Sequence, residues 1–266
     1  MNPSGGGGRA TQYDFATVDG NRLRYRRIVG RSPAIVFLHE GLGGIAQWRD
    51  FPDLLCAATG LGGLVYERLG HGGSDPVHLP RPDDFLSIEA ECTLPALLDL
   101  LDIEHPVLVG HSDGGSIALL FAAAFPDRPV ACVTAAAHVF LEPATESALA
   151  AAAEAYATTD LRARLMRHHG PNADTMFRGW NETWRRLAPR GWSITGSLKQ
   201  IACPVLAVQG LDDEHGTPAQ VEAIRGGVSG PAESFLIPGC GHSPHVQARD
   251  ALVARVAAFL GRLVHP

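Results

Sequence analysis

Ser112 has the local pattern most typical of chemistry in this chain of 266 residues. It is the central residue of GHSDG (residues 110–114), which fits G-x-S-x-G, and it lies between an apolar run, Val107–Val109, and a helix-compatible run, Ser116–Ala124. A sharp turn from strand to helix would strain the serine and leave no room for bulky neighbours, which explains the glycines. The helix N-terminus would favour negative charge near the hydroxyl. The pattern therefore predicts a nucleophile, and the alternative is a serine N-cap before a glycine-rich helix start.

Asp213 and His242 are the residues that we predict to activate this serine. A serine hydroxyl is a poor nucleophile unless a base removes its proton and an acid orients the base. His242 follows an apolar run and a glycine-rich loop, which suits a general base. Asp213 follows another apolar run that ends in glycine, with Asp212 as a close competitor and Glu214 as a weaker one. The alternatives are a turn with solvated acids and an ordinary surface histidine.

Acyl transfer also needs hydrogen-bond donors for the oxyanion that develops on the substrate. We predict the backbone N–H of Asp113 as one donor, because this residue directly follows the nucleophile. The second donor is expected in HEGLGG (residues 39–44), which follows the apolar run Ala34–Leu38. Its glycines would let the backbone approach a ligand closely, and we assign the donor to Gly41. The alternative is an ordinary glycine-rich turn.

The arrangement of apolar runs predicts an α/β fold with a doubly wound, mostly parallel sheet. Short apolar runs suit strands that are buried on both faces, and helix-compatible segments alternate with them. The predicted strands are Ala34–Leu38, Gly62–Tyr66, Val107–Val109, Val130–Ala136, Val205–Val208 and Ser234–Ile237, after a hairpin over Val18–Ile28. The predicted helices are Trp48–Ala58, Ser87–Leu101, Ser116–Ala124, Ala219–Ile224 and Arg249–Val264.

Residues 141–199 interrupt this alternation, because they contain helix-like segments and no good strand. We interpret them as a helical cap over the carboxyl ends of the strands, where an insertion could act as a lid. Trp180 and Trp184, at helical i, i+4 spacing, could line a pocket under it, although such aromatics are more often cap core. The predicted organisation is a flexible tail (1–10), a core (11–140 and 200–266) and this cap.

Composition excludes several classes of partner. The formal net charge of -6 gives no basic surface for nucleic acid or an acidic membrane. No apolar run reaches membrane-spanning length, and the N-terminus lacks the features of a signal peptide. The five cysteines are scattered and form no C-x-x-C pair, so we expect a cytoplasmic protein without a zinc site. The oligomeric state is left open.

The sequence resembles the α/β-hydrolase superfamily over about residues 18–264. The segment YERLGHGGSD (residues 66–75) is similar to the family's Arg-x-Gly-His-Gly-x-Ser turn, and the segments that carry the predicted acid and histidine resemble the corresponding family segments. The chain order serine, acid, histidine also agrees with the family. One departure is that the family's usual His-Gly after the third strand is His39-Glu40 here, which brings a carboxylate near the site.

The resemblance implies a serine hydrolase that acts on a small molecule. The family's epoxide hydrolases and haloalkane dehalogenases carry aspartate at the position of Ser112, so serine disfavours both. Cleavage of a small carboxylic ester, thioester or lactone through an acyl-enzyme is implied, with no cofactor or metal. The alternatives are a C–C bond hydrolase of a ring-cleavage dienoate, a cofactor-independent lyase or oxygenase, and a non-catalytic ligand-binding protein on the same fold.

Two carboxylates near the predicted site could bias the choice of substrate. If Asp113 or Glu40 points into the pocket, it would favour a cationic group, such as the ammonium of an amino-acid ester. It would also disfavour substrates that carry a carboxylate. The alternative is that Asp113 faces away and contributes only its N–H, because acids are common at helix N-termini.

Overall fold

The structure is a computed structural model that describes residues 12–264, so the predicted tail, residues 1–10, lies outside the described residues. One eight-stranded sheet has a hydrophobic cluster on each face. The strands are β1 (Asp14–Val18), β2 (Asn21–Ile28), β3 (Arg31–Leu38), β4 (Leu61–Tyr66), β5 (Val107–His111), β6 (Ala131–Ala135), β7 (Val205–Gly210) and β8 (Ala232–Ile237). The helices are α1 (Phe51–Thr59), α2 (Phe85–Ile88), α3 (Leu94–Leu100), α4 (Asp113–Ala124), α5 (Pro143–Thr158), α6 (Leu161–His169), α7 (Ala173–Leu187), α8 (Ala219–Gly227), α9 (Pro244–Gln247) and α10 (Arg249–Val264). No helix within residues 12–264 is long and apolar enough to cross a membrane.

The sheet is mostly parallel, which confirms the predicted fold class. The strand order is β1-β2-β4-β3-β5-β6-β7-β8. The pairs β1–β2 and β2–β4 are antiparallel, and the five pairs that connect β4 through to β8 are parallel. The hairpin turns at Asp19 and Gly20, which both have positive φ, as a two-residue turn of this kind requires. Its first strand begins at Asp14, before the predicted start at Val18.

The central strands are fully buried, whereas β8, the strand at one edge of the sheet, is partly exposed. Every residue of β4, β5, β6 and β7 is buried, which confirms the interpretation of their apolar runs. The same expectation is wrong for β8, where Ser234 and Leu236 are exposed. Because β8 pairs only with β7, it is an edge strand, and its side chains alternate so that Ile237 is buried while its neighbours face solvent.

Two predicted helices differ from the prediction near their N-terminal ends. The helix predicted from Ser87 is built from α2, a π-helical turn and α3, and it covers residues 85–100. Pro95 follows the π-helical turn by two residues and cannot donate a backbone hydrogen bond to that turn. The helix predicted from Trp48 begins only at Phe51, after a short 3-10 turn over Ala46–Trp48.

Helices α5, α6 and α7 form the insertion between β6 and β7. Residues 141–199, all of which the structure describes, contain no strand, although Ser193 makes an isolated bridge to Phe140. Side chains of α5 and α7, such as Leu149 and Phe177, belong to the same hydrophobic cluster as Ile117 of α4. The insertion therefore packs directly on the sheet-covering helices. Its movement as a lid stays a prediction.

Candidate active site

Ser112 occupies a sharp turn between β5 and α4. Its φ of 51° and ψ of -119° lie in a region that non-glycine residues rarely adopt. The flanking glycines are required because backbone atoms approach them closely. A Cβ on Gly114 would lie 1.9 Å from the carbonyl oxygen of Leu38, and a Cβ on Gly110 would lie 2.1 Å from the carbonyl oxygen of Gly114. The strained turn thus sets the serine at the carboxyl edge of the central strand.

The structure brings Ser112, His242 and Asp213 together in one hydrogen-bonded chain. The Nε2 atom of His242 is 3.0 Å from Ser112 Oγ, and its Nδ1 atom is 2.9 Å and 3.0 Å from the two carboxylate oxygens of Asp213. The Asp213 side chain has no exposed surface and accepts hydrogen bonds from the backbone N–H of His215 and the amide of Gln209. With Nδ1–H donating to the carboxylate, Nε2 is free to accept the serine proton.

The other two carboxylates considered for the acid do not reach the imidazole. Asp212 is exposed, and its backbone N–H bonds to the carbonyl oxygen of Cys240. Glu214 is exposed as well, and one of its carboxylate oxygens accepts the backbone N–H of His242 at 3.3 Å. Among the three candidates in this turn, only Asp213 contacts the ring of the predicted base.

The surroundings of His242 keep its imidazole neutral. Burial lowers its pKa well below the ordinary value, and the neighbouring imidazoles of His111, His215 and His138 act in the same direction. The ring centroids of these three histidines lie 5.1, 4.3 and 5.9 Å from that of His242. Burial raises the pKa of Asp213, and the hydrogen bond from His215 opposes this. A neutral imidazole at neutral pH is the form that a general base needs.

The side chains of Arg68 and His39 orient the peptide group that carries the backbone N–H of Gly41. The carbonyl oxygen of Glu40 accepts hydrogen bonds from Arg68 Nη2 at 2.7 Å and from His39 Nδ1 at 2.7 Å. The peptide between Glu40 and Gly41 is trans, so its C=O and N–H point in opposite directions, and the N–H of Gly41 points away from Arg68. The N–H of Asp113 is the first in α4 and has no intrahelical acceptor. Both residues line the same cavity as the Ser112 hydroxyl.

Two further imidazoles fix the loop that carries Gly41. The Nε2 atom of His71 lies 3.0 Å from the carbonyl oxygen of Gly41. His169, the last residue of α6, has its Nε2 3.0 Å from the carbonyl oxygen of Leu42, and its Nδ1 accepts the backbone N–H of Gly72 at 2.9 Å. The three peptide planes from Glu40 to Gly43 are therefore each held by a buried side chain, and one of those side chains belongs to the inserted helices.

The cavity above Ser112 has a volume of about 260 Å³. Ser112 and His242 line it on one side, and the opposite side, its roof, is mainly apolar. The roof is contributed by Leu141, Leu149, Ala152, Trp180 and Trp184. Both tryptophans thus line the cavity as well as packing in the hydrophobic cluster of the insertion. A larger open groove of about 910 Å³ lies at the other end of the sheet and contains none of the predicted catalytic side chains.

Glu40 and Asp113 both line the cavity, and the carboxylate of each lies near a basic side chain. Glu40 Oε2 lies 3.3 Å from His111 Nδ1. Asp113 Oδ1 accepts a hydrogen bond from Trp184 Nε1 at 3.2 Å, and Oδ2 lies 3.9 Å from Arg68 Nη1 without accepting a hydrogen bond from any described residue. Burial raises the pKa of Asp113, and the charge of Arg68 opposes this. Whether either carboxylate selects a cationic substrate stays a prediction.

Several residues around the triad were not singled out from the sequence. His111 carried a signal, because it directly precedes the nucleophile, and Arg68 lies in the turn that resembles a structural family motif. His138 and His215 carried none, since each is a single histidine in an irregular segment. His245 lies buried in α9, with its ring 4.7 Å from that of His111. No cluster of three or more potential ligands within residues 12–264 is arranged to hold a metal ion.

Comparison with curated proteins finds several hydrolases, uncharacterized proteins and an acetyltransferase component. An uncharacterized protein of Mycobacterium tuberculosis is 39% identical over 113 residues, which cover 42% of this chain and 31% of the relative. The 2-hydroxy-6-oxononadienedioate/2-hydroxy-6-oxononatrienedioate hydrolase of Paraburkholderia xenovorans is 32% identical over 40% of this chain and 37% of the relative. A bifunctional esterase/perhydrolase of Acinetobacter calcoaceticus is 28% identical over 43% and 40%. The chain thus spans about a third of the length of the first of these relatives.

Comparison with solved structures and with protein families supports the fold over nearly the whole chain. An esterase from Thermogutta terrifontis matches with a TM-score of 0.71 and 19% identity, covering 95% of this chain and 99% of its own. The enol-lactonase from Burkholderia xenovorans matches with a TM-score of 0.69 and 22% identity, covering 93% and 99%. At these identities the likeness shows the fold alone. Residues 35–255 match the alpha/beta hydrolase family, and the chain therefore belongs to that family.

Proposed function

We propose that this protein hydrolyses a small carboxylic ester, thioester or lactone through an acyl-enzyme on Ser112. The observation that carries the proposal is the continuous chain from Ser112 Oγ through the His242 ring to the Asp213 carboxylate, with distances of 3.0 and 2.9 Å. A hydroxyl that faces a neutral, oriented imidazole inside a cavity is an activated nucleophile. Aspartate at the nucleophile position would have supported different reactions.

The first half-reaction follows from this geometry. His242 Nε2 takes the proton of Ser112 while Oγ attacks the substrate carbonyl carbon, and the carbonyl oxygen becomes an oxyanion. The backbone N–H groups of Asp113 and Gly41 donate hydrogen bonds to that oxygen in the proposed mechanism. The bond between carbonyl carbon and leaving group then breaks, and the alcohol or thiol departs with the proton from His242 Nε2.

The second half-reaction uses the same groups on water. His242 Nε2 takes a proton from a water molecule, whose oxygen attacks the acyl carbon, and the Ser112 oxygen leaves with the proton returned by the imidazole. Asp213 keeps Nδ1 protonated in both halves, so Nε2 always faces the reacting atoms. The carboxylic acid product then leaves the cavity.

The cavity favours a small substrate with an apolar part. Its volume of about 260 Å³ is near the lower end for small-molecule sites, and its roof carries two tryptophans and aliphatic side chains. An acyl or alkoxy group of a few carbons packed under Trp180 and Trp184 would fill it. A long-chain lipid would require displacement of the inserted helices.

Hydrolysis of a carbon–carbon bond is the second candidate. Two curated relatives are named as hydrolases of ring-cleavage products, the one from Paraburkholderia xenovorans and a 2-hydroxy-6-oxo-6-phenylhexa-2,4-dienoate hydrolase from Burkholderia cepacia, the latter 28% identical over 45% of this chain. Turnover of a p-nitrophenyl ester against a ring-cleavage dienoate separates the two candidates. We favour the ester, because Asp113 lines the cavity and its carboxylate would disfavour a substrate that carries its own carboxylate, whereas Glu40 is paired with His111.

The test is a substrate panel assayed with wild type, Ser112→Ala and a matched surface variant. The panel contains p-nitrophenyl esters of increasing acyl length, thioesters and lactones, and Ser147→Ala, at an exposed serine of α5, is the control. We expect wild type and the control to prefer short acyl chains and Ser112→Ala to be inactive. A serine-directed phosphonate should label Ser112, as read by mass spectrometry of peptides. Equal ester hydrolysis by wild type and Ser112→Ala would refute the proposal, as would binding without turnover of any panel member by wild type.

A further inference from the structure

Glu40, which is partly buried, and His111, which is fully buried, form a pair next to the nucleophile. Glu40 directly follows His39 in the loop after β3, and its Oε2 lies 3.3 Å from His111 Nδ1. The other ring nitrogen of His111, Nε2, lies 2.7 Å from the main-chain carbonyl oxygen of His242. The His111 side chain is only 1% exposed. A side chain next to Ser112 in the sequence thus connects the loop of Glu40 to the loop of the catalytic histidine.

The partners of His111 determine its protonation. A carbonyl oxygen can only accept, so Nε2 must carry a hydrogen to make the 2.7 Å contact with His242. Nδ1 faces a carboxylate, which also accepts when it is ionised. Although burial opposes ionisation of Glu40, its hydrogen bond with His111 lowers its pKa to about 2. Burial likewise opposes charge on His111, and the hydrogen bond and charge of Glu40 outweigh it and raise the pKa. Both ring nitrogens therefore carry hydrogen.

We propose that Glu40 and His111 are positioning residues, a largely buried carboxylate–imidazolium pair that holds the main chain of His242 for proton transfer from Ser112. The proposal rests on the proposed hydrolase function for its catalytic meaning. The pair also resolves a problem of the loop sequence. An unpaired carboxylate at residue 40 would oppose an oxyanion bound by the adjacent N–H of Gly41, and the imidazolium of His111 neutralises it.

The imidazolium has a second effect on the catalytic base. Its ring lies 5.1 Å from that of His242, so it opposes a second positive charge there. The other ionisable groups near His242 are Asp213 on its Nδ1, the rings of His215 and His138, Glu214 on its backbone N–H, and Glu40. The ionisable groups next to His111, besides His242, are Glu40 and His245. Burial lowers the pKa of His245 to about 3, so its ring is neutral. The positive charge of His111 is therefore the part of the pair that acts on His242, and it lowers the pH at which the His242 ring becomes protonated.

The substitution Glu40→Gln removes the charges of Glu40 and His111 but keeps the hydrogen bonds of His111. The glutamine amide can donate to Nδ1 of a neutral His111, whose Nε2–H still donates to the carbonyl oxygen of His242, so the tether is kept and both charges are lost. We expect the acidic limb of the kcat/KM profile to move up by about one pH unit. Loss of the imidazolium raises the pKa of His242, and loss of the more distant Glu40 charge lowers that pKa by a smaller amount. Glu91→Gln, at an exposed acid, is the matched control and should leave the profile unchanged.

Nitrogen NMR of the histidine rings tests the pair without any substrate. In wild type at pH 7, the ring of His111 should give the signature of a doubly protonated imidazole, and in Glu40→Gln that of a neutral one. The His111→Gln variant, which lacks the resonance, assigns it. A neutral His111 ring in wild type would overturn the proposal, and this result is independent of whether any ester is turned over. If wild type hydrolyses no ester, the proposed function fails while the NMR result still decides the state of the pair.

The tether is tested by comparing two uncharged variants. Glu40→Gln/His111→Phe differs from Glu40→Gln only in lacking the donor to the carbonyl oxygen of His242. We expect kcat to fall roughly tenfold or more between them with little change in KM, because a misplaced base slows proton transfer. Equal kcat values in the two variants, or an acidic limb that stays in place in Glu40→Gln, would contradict the proposed positioning role.

Discussion

The substitution Gly41→Ala should disable the proposed oxyanion site through a single atom. A Cβ on Gly41 would lie 2.1 Å from Trp180 Nε1 and 3.0 Å from Asp113 Oδ2. The φ of Gly41 is not in the left-handed region, so alanine is compatible with its backbone and the overlap with the indole is the main obstacle. Since non-bonded atoms need about 3.5 Å, the loop or the indole has to move by about 1.4 Å.

A displacement of this size is large compared with the tolerance of an oxyanion site. Misplacement by about 1 Å can cost about 100-fold in rate. Loss of one oxyanion donor costs about 10²- to 10³-fold in kcat, which corresponds to about 2.7–4 kcal/mol. Because the carbonyl oxygens on both sides of Gly41 are already fixed by Arg68 and His71, the loop cannot shift without breaking those hydrogen bonds. We therefore expect kcat of Gly41→Ala to fall by about two to three orders of magnitude.

The assay is the initial rate on a p-nitrophenyl ester for three variants and one control. The variants are Gly41→Ala, Trp180→Ala and the double mutant. The control is Gly196→Ala, because a Cβ there would meet nothing within 4 Å. Removal of the indole gives the new Cβ room, so the double mutant should recover to the activity of Trp180→Ala. Melting temperatures are measured alongside, since truncation of a buried tryptophan costs about 3–5 kcal/mol of stability.

Two results would refute this steric reasoning. If Gly41→Ala kept the wild-type kcat and melting temperature, the N–H of Gly41 would not be an oxyanion donor, or its loop would be free to adjust. If the double mutant were as inactive as Gly41→Ala, the loss would not come from the overlap with Trp180. Recovery in the double mutant alone supports the proposed cause.

Two other predictions concern the acidic side chains of the site. Asp213→Asn should lower kcat by about 10⁴-fold, because an amide in contact with Nδ1 favours the wrong tautomer of His242, while Asp212→Asn at the exposed neighbour should be close to wild type in the same assay. Comparable activity of the two variants would contradict the assignment of the acid. Asp113→Asn should reduce the preference for an α-amino ester over its des-amino analogue, because the cavity wall loses a carboxylate. An unchanged ratio of kcat/KM values for the two esters would remove Asp113 from substrate selection.

The fold and the location of the site could be predicted because their signals are local. Central strands are buried on both faces, so each appears as an unbroken apolar run, as in β5 and β7. Parallel strands place their carboxyl ends at one edge, so a serine after β5 and an acid after β7 are expected to be neighbours. Glycines at positions 110 and 114 mark the close backbone contacts of the turn. The edge strand β8 was harder to interpret, because its burial depends on what covers it.

The side-chain network around the triad could not be predicted in the same way. Glu40 and His111 are 71 residues apart in the chain, and Arg68 is 28 residues from the carbonyl oxygen that it binds. Both contacts involve irregular loops, where the direction of a side chain follows no period. A glutamate in place of glycine indicated a nearby carboxylate, but its pairing with His111, the last residue of β5, depends on how the loop of Glu40 folds against that strand. Histidines in such loops have the same appearance in the sequence whether they bind a main-chain carbonyl or face solvent.

The hydrogen bonds of His169 have a consequence for how this protein would sort substrates by size. This residue ends a helix of the insertion and contacts the carbonyl oxygen of Leu42, the residue next to Gly41. A bulky substrate that displaced α6 outward would therefore also displace the loop of Leu42 and Gly41. The N–H of Gly41 in this loop is the proposed donor to the oxyanion. We expect oversized molecules to be held and converted slowly, so that size discrimination falls on turnover more than on affinity.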